Sequence, residues 1–211
     1  MPRSEFSEFR TYFHRRASRF DAFYRSEPVS RLLGRGPIFD RLRGAVEMAE
    51  SVGARSVLDV GCGSGPLFEP LAELGIKVTG FDPAPAMIAL ARQRASAFPD
   101  LVVVEQRGWE QLEEADAYDA AIALGVFDYV DEPADLLARM GRAAPNVIGS
   151  FPAPGLRLQL RKARYGAHGV HVHGYTESRL GELAGGAKLS VKRVQPLGKA
   201  GFLVLFVRSA G

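Results

Sequence analysis

A glycine-rich turn with an aspartate before it and another after it is the part of this sequence best suited to bind a charged ligand. Residues 57–65 read V-L-D-V-G-C-G-S-G, so the turn directly follows a short apolar run. Glycine accepts positive φ and lets a ligand approach the backbone closely. Asp82 ends the next apolar run, about 20 residues beyond Gly61, where a carboxylate can accept the hydroxyls of an adenosine ribose. Asp59, just before the glycines, suits a ligand with a positively charged amino group or sulfonium.

Two other interpretations of this turn are open. The first is a tight turn that only packs the following helix on a sheet. The second is a nicotinamide dinucleotide site, whose fingerprint is G-x-G-x-x-G with the pyrophosphate at a helix N-terminus. Here the order is G-x-G-x-G followed by Pro66, and Asp59 is poorly suited to lie beside a pyrophosphate. The residue types therefore favour a nucleoside ligand with a positive charge over a dinucleotide.

A second group of polar candidates lies in the latter half of the chain. We expect residues 127–129 to face the ligand cleft, with Asp128 as a base or as a group that orients an acceptor. A helix cap or a solvated carboxylate is the alternative for Asp128. His168, His171 and His173 form the pattern H-x-x-H-x-H-x-Y. A histidine base is our functional hypothesis for them, and surface or lid histidines and a three-histidine zinc site are the alternatives.

Two further stretches have both a structural and a functional interpretation. The first is an aromatic N-terminal helix, which either packs onto the sheet or closes over the ligand as a lid that brings Tyr12 to the pocket. Its phenylalanines recur at roughly helical spacing, at Phe6, Phe9, Phe13, Phe20 and Phe23. The second is a basic cluster, which is either the solvated face of a helix or a grip for an acidic substrate or RNA. Its members are Arg157, Arg161, Lys162 and Arg164.

Short apolar strands alternate with helices between residues 57 and 150, which is typical of a parallel sheet covered on both faces. Two further strands, at residues 189–194 and 202–207, are too close together for a helical crossover, so they should be antiparallel. The sequence therefore predicts an α/β fold with a Rossmann-like seven-stranded sheet. It consists of five parallel strands plus an antiparallel C-terminal hairpin, with helices on both faces. We expect an N-terminal helical cap at residues 1–53 and a main domain at residues 54–211, with a substrate-side insert at about 152–175.

Composition limits the class of protein. The chain has 211 residues, 46% hydrophobic and 24% charged, which are ordinary values for a globular protein. A net charge of +3 is too weak by itself to argue for nucleic acid. The single cysteine, Cys62, excludes an intrachain disulfide and a cysteine-based zinc site. We find no signal peptide and no apolar run near the roughly 20 residues of a membrane span, so we expect a cytoplasmic protein.

The stretch V-L-D-V-G-C-G-S-G, with V-T-G-F-D-P-A-P-A-M-I-A-L-A-R after it, resembles motifs I and II of class I S-adenosylmethionine-dependent methyltransferases. The resemblance covers roughly residues 57–207 and implies S-adenosylmethionine as the cofactor. It also implies residue roles. The methionine part would be lined by Asp59, Gly61 and Gly63, with Gly65 allowing the turn, and Cys62 would be a further cofactor residue. The ribose would be held by Asp82, and the adenine would lie near Pro83 and Met87. The methionine part and the reactive methyl would lie near Leu124 and Gly125.

One departure from the family pattern concerns the adenine. The family often has an acidic residue after the third strand, and the aligned position here is Gly108. We expect the adenine to contact Trp109, or the backbone at Gly108 and Trp109. The alternative is that Trp109 starts the following helix and packs in the core.

Methyl transfer is an in-line displacement that depends mainly on positioning, so it requires no catalytic signature in the sequence. The Asn/Asp-Pro-Pro-aromatic motif of amino-methylating nucleic-acid enzymes is absent, and residues 150–152 lack the Asp/Asn pair of metal-dependent relatives, so we expect no metal. The predicted function is methyl transfer to oxygen or nitrogen of a small-molecule acceptor by a monomer or homodimer, with nucleic acid an unlikely partner. The alternatives are an RNA or protein methyltransferase and a non-catalytic S-adenosylmethionine-binding protein. The N-terminal pattern Y-F-x-x-R-A is faintly similar to porphyrin carboxyl methyltransferases.

Overall fold

The computed structural model describes residues 11–12, 14–18, 21–24, 27–32 and 36–209. Most of the predicted aromatic stripe, at Phe6, Phe9, Phe13 and Phe20, lies outside the described residues. Residues 11–12 and 14–18 are helical, and a 3₁₀ turn follows at Ala22–Tyr24. The structure therefore leaves the predicted aromatic face untested.

A single seven-stranded sheet organises the described part of the chain, in the order β3-β2-β1-β4-β5-β7-β6. Strands β1 to β5 are parallel, and β7 is antiparallel to both β5 and β6. This confirms the predicted five parallel strands with an antiparallel C-terminal hairpin. The strands are β1 (Ser56–Val60), β2 (Lys77–Phe81), β3 (Val102–Glu105), β4 (Ala120–Ala123), β5 (Asn146–Pro152), β6 (Leu189–Pro196) and β7 (Gly201–Arg208).

Helices cover both faces of the sheet. They are α1 (Glu27–Leu32), α2 (Gly36–Ser51), α3 (Phe68–Ala72), α4 (Pro85–Ala95), α5 (Pro133–Ala143), α6 (Leu156–Gly166) and α7 (Glu177–Gly186). Helices α2, α3 and α4 pack on one face around Met48, Phe68 and Ile88. Helices α5 and α7 pack on the other around Met140 and Leu183. Each face thus has its own apolar core, because strands buried on both sides carry apolar residues at successive positions.

Helix α3 is short, and a glycine limits it on each side. Gly65 and Gly75 have positive φ, at 75° and 73°, so the backbone leaves helical geometry at both ends of this segment. The amide of Phe68 donates to the carbonyl of Gly65, which prolongs the glycine turn before the helix begins. The glycine turn therefore extends through Pro66 and Leu67, and α3 begins only at Phe68.

The direction in which the chain winds reverses between β1 and β4, which are neighbours in the sheet. In open α/β sheets, ligands bind outside the carboxyl ends of the strands at such a switch point. Within the described residues, none of the helices is both long and apolar enough to cross a membrane.

Candidate active site

A cavity of about 610 Å³ opens at the carboxyl ends of β1, β2 and β4. Its size is within the range of small-molecule and cofactor sites. Its walls come from the glycine turn, the segment after β2, the loop after β4, helix α2 and helix α6. Except for Gly65, every cofactor residue that the sequence predicts lines this cavity.

The glycine turn forms the floor of the cavity beside β1. Gly63 has φ of 55°, and a Cβ at this position would meet no other atom within 4 Å, so the backbone faces open space. Gly65 serves the turn instead, because a Cβ there would lie 2.3 Å from the ring of Phe68. Its place outside the cavity lining fits the part of the prediction that assigned it to the close turn.

Asp82 joins the glycine turn to the start of α4. One carboxylate oxygen accepts a hydrogen bond from the Gly63 amide at 3.1 Å, and the other accepts one from the Ala84 amide at 2.8 Å. Each carboxylate oxygen can accept more than one hydrogen bond. The side chain is therefore fixed at the cavity wall with acceptor capacity for the hydroxyls of a ligand.

Asp59 is a buried carboxyl on the cavity wall, and only 2% of its surface is exposed. Its Oδ2 makes no hydrogen bond within the part of the chain that the structure describes. Burial, and then the charge of Asp82, raises the pKa of Asp59 to about 8. A buried acid with one oxygen that lacks a hydrogen bond, in a ligand cavity, is suited to a donor or cation from the ligand.

Arg41 is a cavity residue that the sequence analysis missed. It projects from α2, and its Nη2 donates to the Tyr24 hydroxyl at 3.3 Å. A Cβ at Gly125 would lie 3.0 Å from its Nη1, so the guanidinium rests against the backbone at the end of β4. Its Nε is buried and lacks a hydrogen-bond partner among the described residues. The only sequence signal was its position beside Ile38 and Leu42, apolar residues of α2 that also line the cavity.

The far end of the cavity is formed by residues after β2 and β3, and apart from Glu110 the side chains there are apolar. Pro83 and Met87 line it from the α4 side, and Gly108 and Trp109 line it from the β3 side. Trp109 begins the 3₁₀ turn Trp109–Gln111 and also packs against the core. The two alternative interpretations of Trp109 therefore both describe part of its environment.

The loop after β4 is held by buried contacts. The Gly125 amide donates to Ser150 Oγ at 2.8 Å, and the Tyr175 hydroxyl donates to the Phe127 carbonyl at 2.9 Å. The prediction that Phe127 faces the cleft is wrong, because this side chain is fully buried and stacks on Phe151 with ring centroids 4.4 Å apart. The ring of Phe127 packs in the apolar core and is not part of the cavity lining.

Asp128 does line the cavity, but it is neither a helix cap nor a solvated carboxylate. Only 5% of its surface is exposed, and its Oδ2 lies 2.6 Å from Nη2 of Arg161. The same guanidinium donates to the Tyr129 hydroxyl at 3.1 Å. The interpretation of the basic cluster as a purely solvated face is therefore wrong for Arg161, which neutralises a buried acid inside the cavity.

The three histidines do not act together. His171 lines the cavity, whereas His168 packs beside Tyr12 with ring centroids 5.4 Å apart and His173 lies 2.8 Å from Asp131. No group of three metal-binding side chains is found within the described residues. Of the three predicted histidines, only His171 is placed to meet a ligand.

Tyr12 lines the cavity from the N-terminal segment and is buried. Its ring lies 5.4 Å from that of Tyr165 on α6. A second link ties this segment to the glycine turn, because Arg94 on α4 binds both the Ser64 carbonyl at 2.7 Å and the Asp21 carboxylate at 3.0 Å. Tyr12, Arg16 and Tyr24 are thus the described residues before α2 that line the cavity.

Comparisons with known proteins agree with this geometry. Residues 58–145 match a family model described as a methyltransferase domain. The ubiquinone biosynthesis O-methyltransferase of Methylobacterium nodulans is 39% identical over 112 residues, which is 51% of this chain and 43% of that protein. The protein of the same name from Azorhizobium caulinodans is 38% identical over 44% of this chain and 37% of its own length. The chain spans less than half the length of these curated relatives.

Solved structures share the fold over nearly the whole chain. Magnesium protoporphyrin IX methyltransferase from Synechocystis, solved with bound SAH, superposes with a TM-score of 0.78 at 23% identity, over 95% of this chain and 98% of that one. The 1,6-didemethyltoxoflavin-N1-methyltransferase of Burkholderia thailandensis gives a TM-score of 0.74 at 20% identity, over 100% of this chain and 91% of that one. The chain therefore matches a methyltransferase domain over residues 58–145 and shares the fold of these solved methyltransferases over nearly its whole length.

Proposed function

We propose that the chain binds S-adenosylmethionine in the cavity and transfers its methyl group to a small-molecule acceptor. The observation that carries the proposal is the pair of charged side chains at the β1–β4 end, the carboxyl of Asp59 and the guanidinium of Arg41. Each has a buried polar atom without a hydrogen bond within the described residues. An amino-acid group, with its ammonium and its carboxylate, matches this pair.

The rest of the cavity fits the nucleoside part of the same cofactor. Asp82 can accept the two ribose hydroxyls, as acidic residues do at this position of nucleotide-binding sheets. The adenine would lie between the apolar surfaces of Met87 and Trp109. In this pose the sulfonium would lie beside Leu124 and Gly125, where the loop after β4 meets the acceptor side of the cavity.

The cofactor supplies a methyl group that is already activated by its sulfonium. What the chain must contribute is the orientation of the acceptor and the exclusion of water. The ion pair with Arg161 holds the Asp128 carboxylate in a fixed position on the cavity wall, which favours an orienting role toward the acceptor. If the acceptor must lose a proton, His171 is the histidine that lines the cavity.

Oxygen or nitrogen of a small molecule is the acceptor that we favour. The curated relatives are named O-methyltransferases, and one of the structural neighbours is named for methylation at nitrogen. The partly enclosed cavity between α2 and α6 also suits a small acceptor. Cytoplasmic location and a monomeric or homodimeric state stay predictions.

Calorimetric titration with S-adenosylhomocysteine tests the proposed binding site. Replacing Asp82 with Ala removes the acceptor of the ribose hydroxyls and one support of the glycine turn, so affinity should fall by about tenfold to a hundredfold. Asp100→Ala is the matched control, because this exposed aspartate lies outside the cavity. Unchanged affinity of Asp82→Ala, or an equal loss in both variants, contradicts the assignment.

A further inference from the structure

Helix α6 presents a row of apolar side chains to solvent, on the face opposite to its buried side. Leu158 and Tyr165 are buried and belong to an apolar cluster beside the cavity. Leu156 and Leu160, in contrast, are 77% and 64% exposed. Ala163 is exposed as well and continues the row at the spacing i, i+4, i+7. We call Leu156, Leu160 and Ala163 the outer stripe of α6.

Other exposed apolar side chains in the described part of the chain do not form such a row. The remaining large ones come from four separate segments, at Leu32, Leu74, Val103 and Val191. Single exposed apolar residues are normal on a protein surface, whereas neighbouring ones rimmed by polar residues indicate an interaction surface. The outer stripe is therefore the apolar surface that needs a partner.

The charge around the outer stripe is positive. The sequence contains no acidic residue between Asp135 and Glu177. At 3.6 residues per turn, Lys162 and Arg164 lie on opposite sides of the stripe, and both are exposed. Neither forms an ion pair within the part of the chain that the structure describes. The stripe is thus rimmed by two cations that no described acid neutralises.

Exposed leucines beside basic residues match the surface of an anionic lipid bilayer. Such a surface takes aliphatic side chains into its apolar boundary, and its phosphate groups attract Lys and Arg at the rim. RNA offers the phosphates but no partner for the leucines, because bases are bound by aromatic stacking and hydrogen bonds. A symmetric contact between two copies of the chain would bring like charges against each other.

We infer that α6 docks on an anionic lipid surface, with Leu156 and Leu160 in its apolar boundary and Lys162 and Arg164 at its phosphate groups. The helix has 11 residues and lies on this surface without crossing it. Other side chains of α6, such as Arg161, line the cavity. Docking therefore brings the acceptor side of the cavity to the lipid surface. The inference goes beyond the proposed function and does not depend on cofactor binding.

Cosedimentation with lipid vesicles tests the apolar part of this surface. The probes are vesicles of phosphatidylcholine alone and vesicles of phosphatidylcholine and phosphatidylglycerol in equal parts. Leu156→Gln/Leu160→Gln should bind the mixed vesicles about tenfold more weakly than the wild type, because two leucines no longer enter the apolar boundary. Leu32→Gln/Leu74→Gln is the matched control, since it replaces two exposed leucines of other segments and should bind as the wild type does.

The same vesicles test the charged rim. We expect the wild type to bind the mixed vesicles about tenfold more tightly than the neutral ones, and added salt should weaken this preference. Lys162→Gln/Arg164→Gln should lose most of the preference. Lys77→Gln/Arg92→Gln, which replaces exposed cations of β2 and α4, should keep it. The replaced side chains are all exposed, so circular dichroism should show an unaltered fold.

A wild type that does not bind the mixed vesicles, or binds both kinds equally, overturns the inference. An equal loss in a variant and its matched control does so too. Binding of tRNA, or self-association that needs the two leucines, overturns it when vesicle binding is absent, and assigns the stripe to RNA or to a second copy. Calorimetry with S-adenosylhomocysteine on the same preparations keeps the proposals separate. Failure to bind that ligand contradicts the proposed function, whereas the vesicle results decide the docking in either case.

Discussion

At the scale of single residues, Asp59 and Arg41 carry most of the argument for the cofactor. Asp59 could be predicted from sequence, because a strand, a glycine turn and the next strand place it within one local motif. Arg41 could not, because its contact with Gly125 joins segments far apart in the chain. The ion pair between Asp128 and Arg161 could not be predicted for the same reason, because the two residues are 33 positions apart in the chain. Local motifs define the cofactor side, whereas tertiary contacts define the acceptor side.

The raised pKa of Asp59 predicts a pH dependence of cofactor binding. Below about pH 8 the unliganded carboxyl holds a proton, which must leave before it can pair with the cofactor ammonium. Affinity for S-adenosylhomocysteine should therefore rise with pH up to about 8, by at most roughly tenfold per pH unit. Calorimetry across this range should show that Asp59→Asn has lower affinity and lacks the slope. A slope that persists in Asp59→Asn would sink this role.

Arg41 should be specific for the carboxylate of the cofactor. We expect Arg41→Ala to weaken S-adenosylhomocysteine by about tenfold to a hundredfold, because a charged hydrogen bond is lost in a buried site. 5′-Methylthioadenosine, which lacks the amino-acid group, should bind the variant and the wild type equally well. A parallel loss for both ligands would mean that Arg41 shapes the cavity and does not bind the carboxylate.

At the scale of elements, the sheet could be predicted from the sequence. The way in which the N-terminal segment and α6 line the cavity could not. Alternating apolar strands and helices indicated five parallel strands, and the short connection before β7 indicated the hairpin. The N-terminal helical cap at residues 1–53 and the insert at 152–175 stay predictions as domain units. No local sequence motif predicts where the described residues of these segments lie. Their positions depend on contacts with distant parts of the chain, such as α4 and the loop after β4. Arg94 provides one such contact, because it holds Asp21 against the glycine turn.

Loss of the Arg94 contact should loosen the N-terminal segment without unfolding the sheet. Arg94→Gln leaves the buried carboxylate of Asp21 without this cation, at a cost of about 1–3 kcal/mol for the closed arrangement. Hydrogen exchange should then be faster at residues 11–24, and S-adenosylhomocysteine should dissociate faster. Arg92→Gln is the matched control, because Arg92 is an exposed arginine of the same helix. Identical exchange in the two variants would refute the link.

At the scale of the whole molecule, one cavity combines two sides of different chemistry. The β1–β4 side offers a carboxyl, a guanidinium and a glycine turn, which suit the amino-acid and ribose groups of the cofactor. The α6 side offers the ring of Tyr165 and the guanidinium of Arg161, which is paired with Asp128. The sulfonium would lie where these sides meet, beside Gly125, so that both substrates reach one point.

A crystal structure of the complex with S-adenosylhomocysteine tests this account most directly. The account predicts density with the amino-acid group between Asp59 and Arg41, the ribose hydroxyls on Asp82 and the adenine against Trp109. The sulfur should face the side of the cavity formed by Asp128 and Tyr129. Density in the reverse orientation or outside the cavity, or no density at saturating ligand, would contradict it.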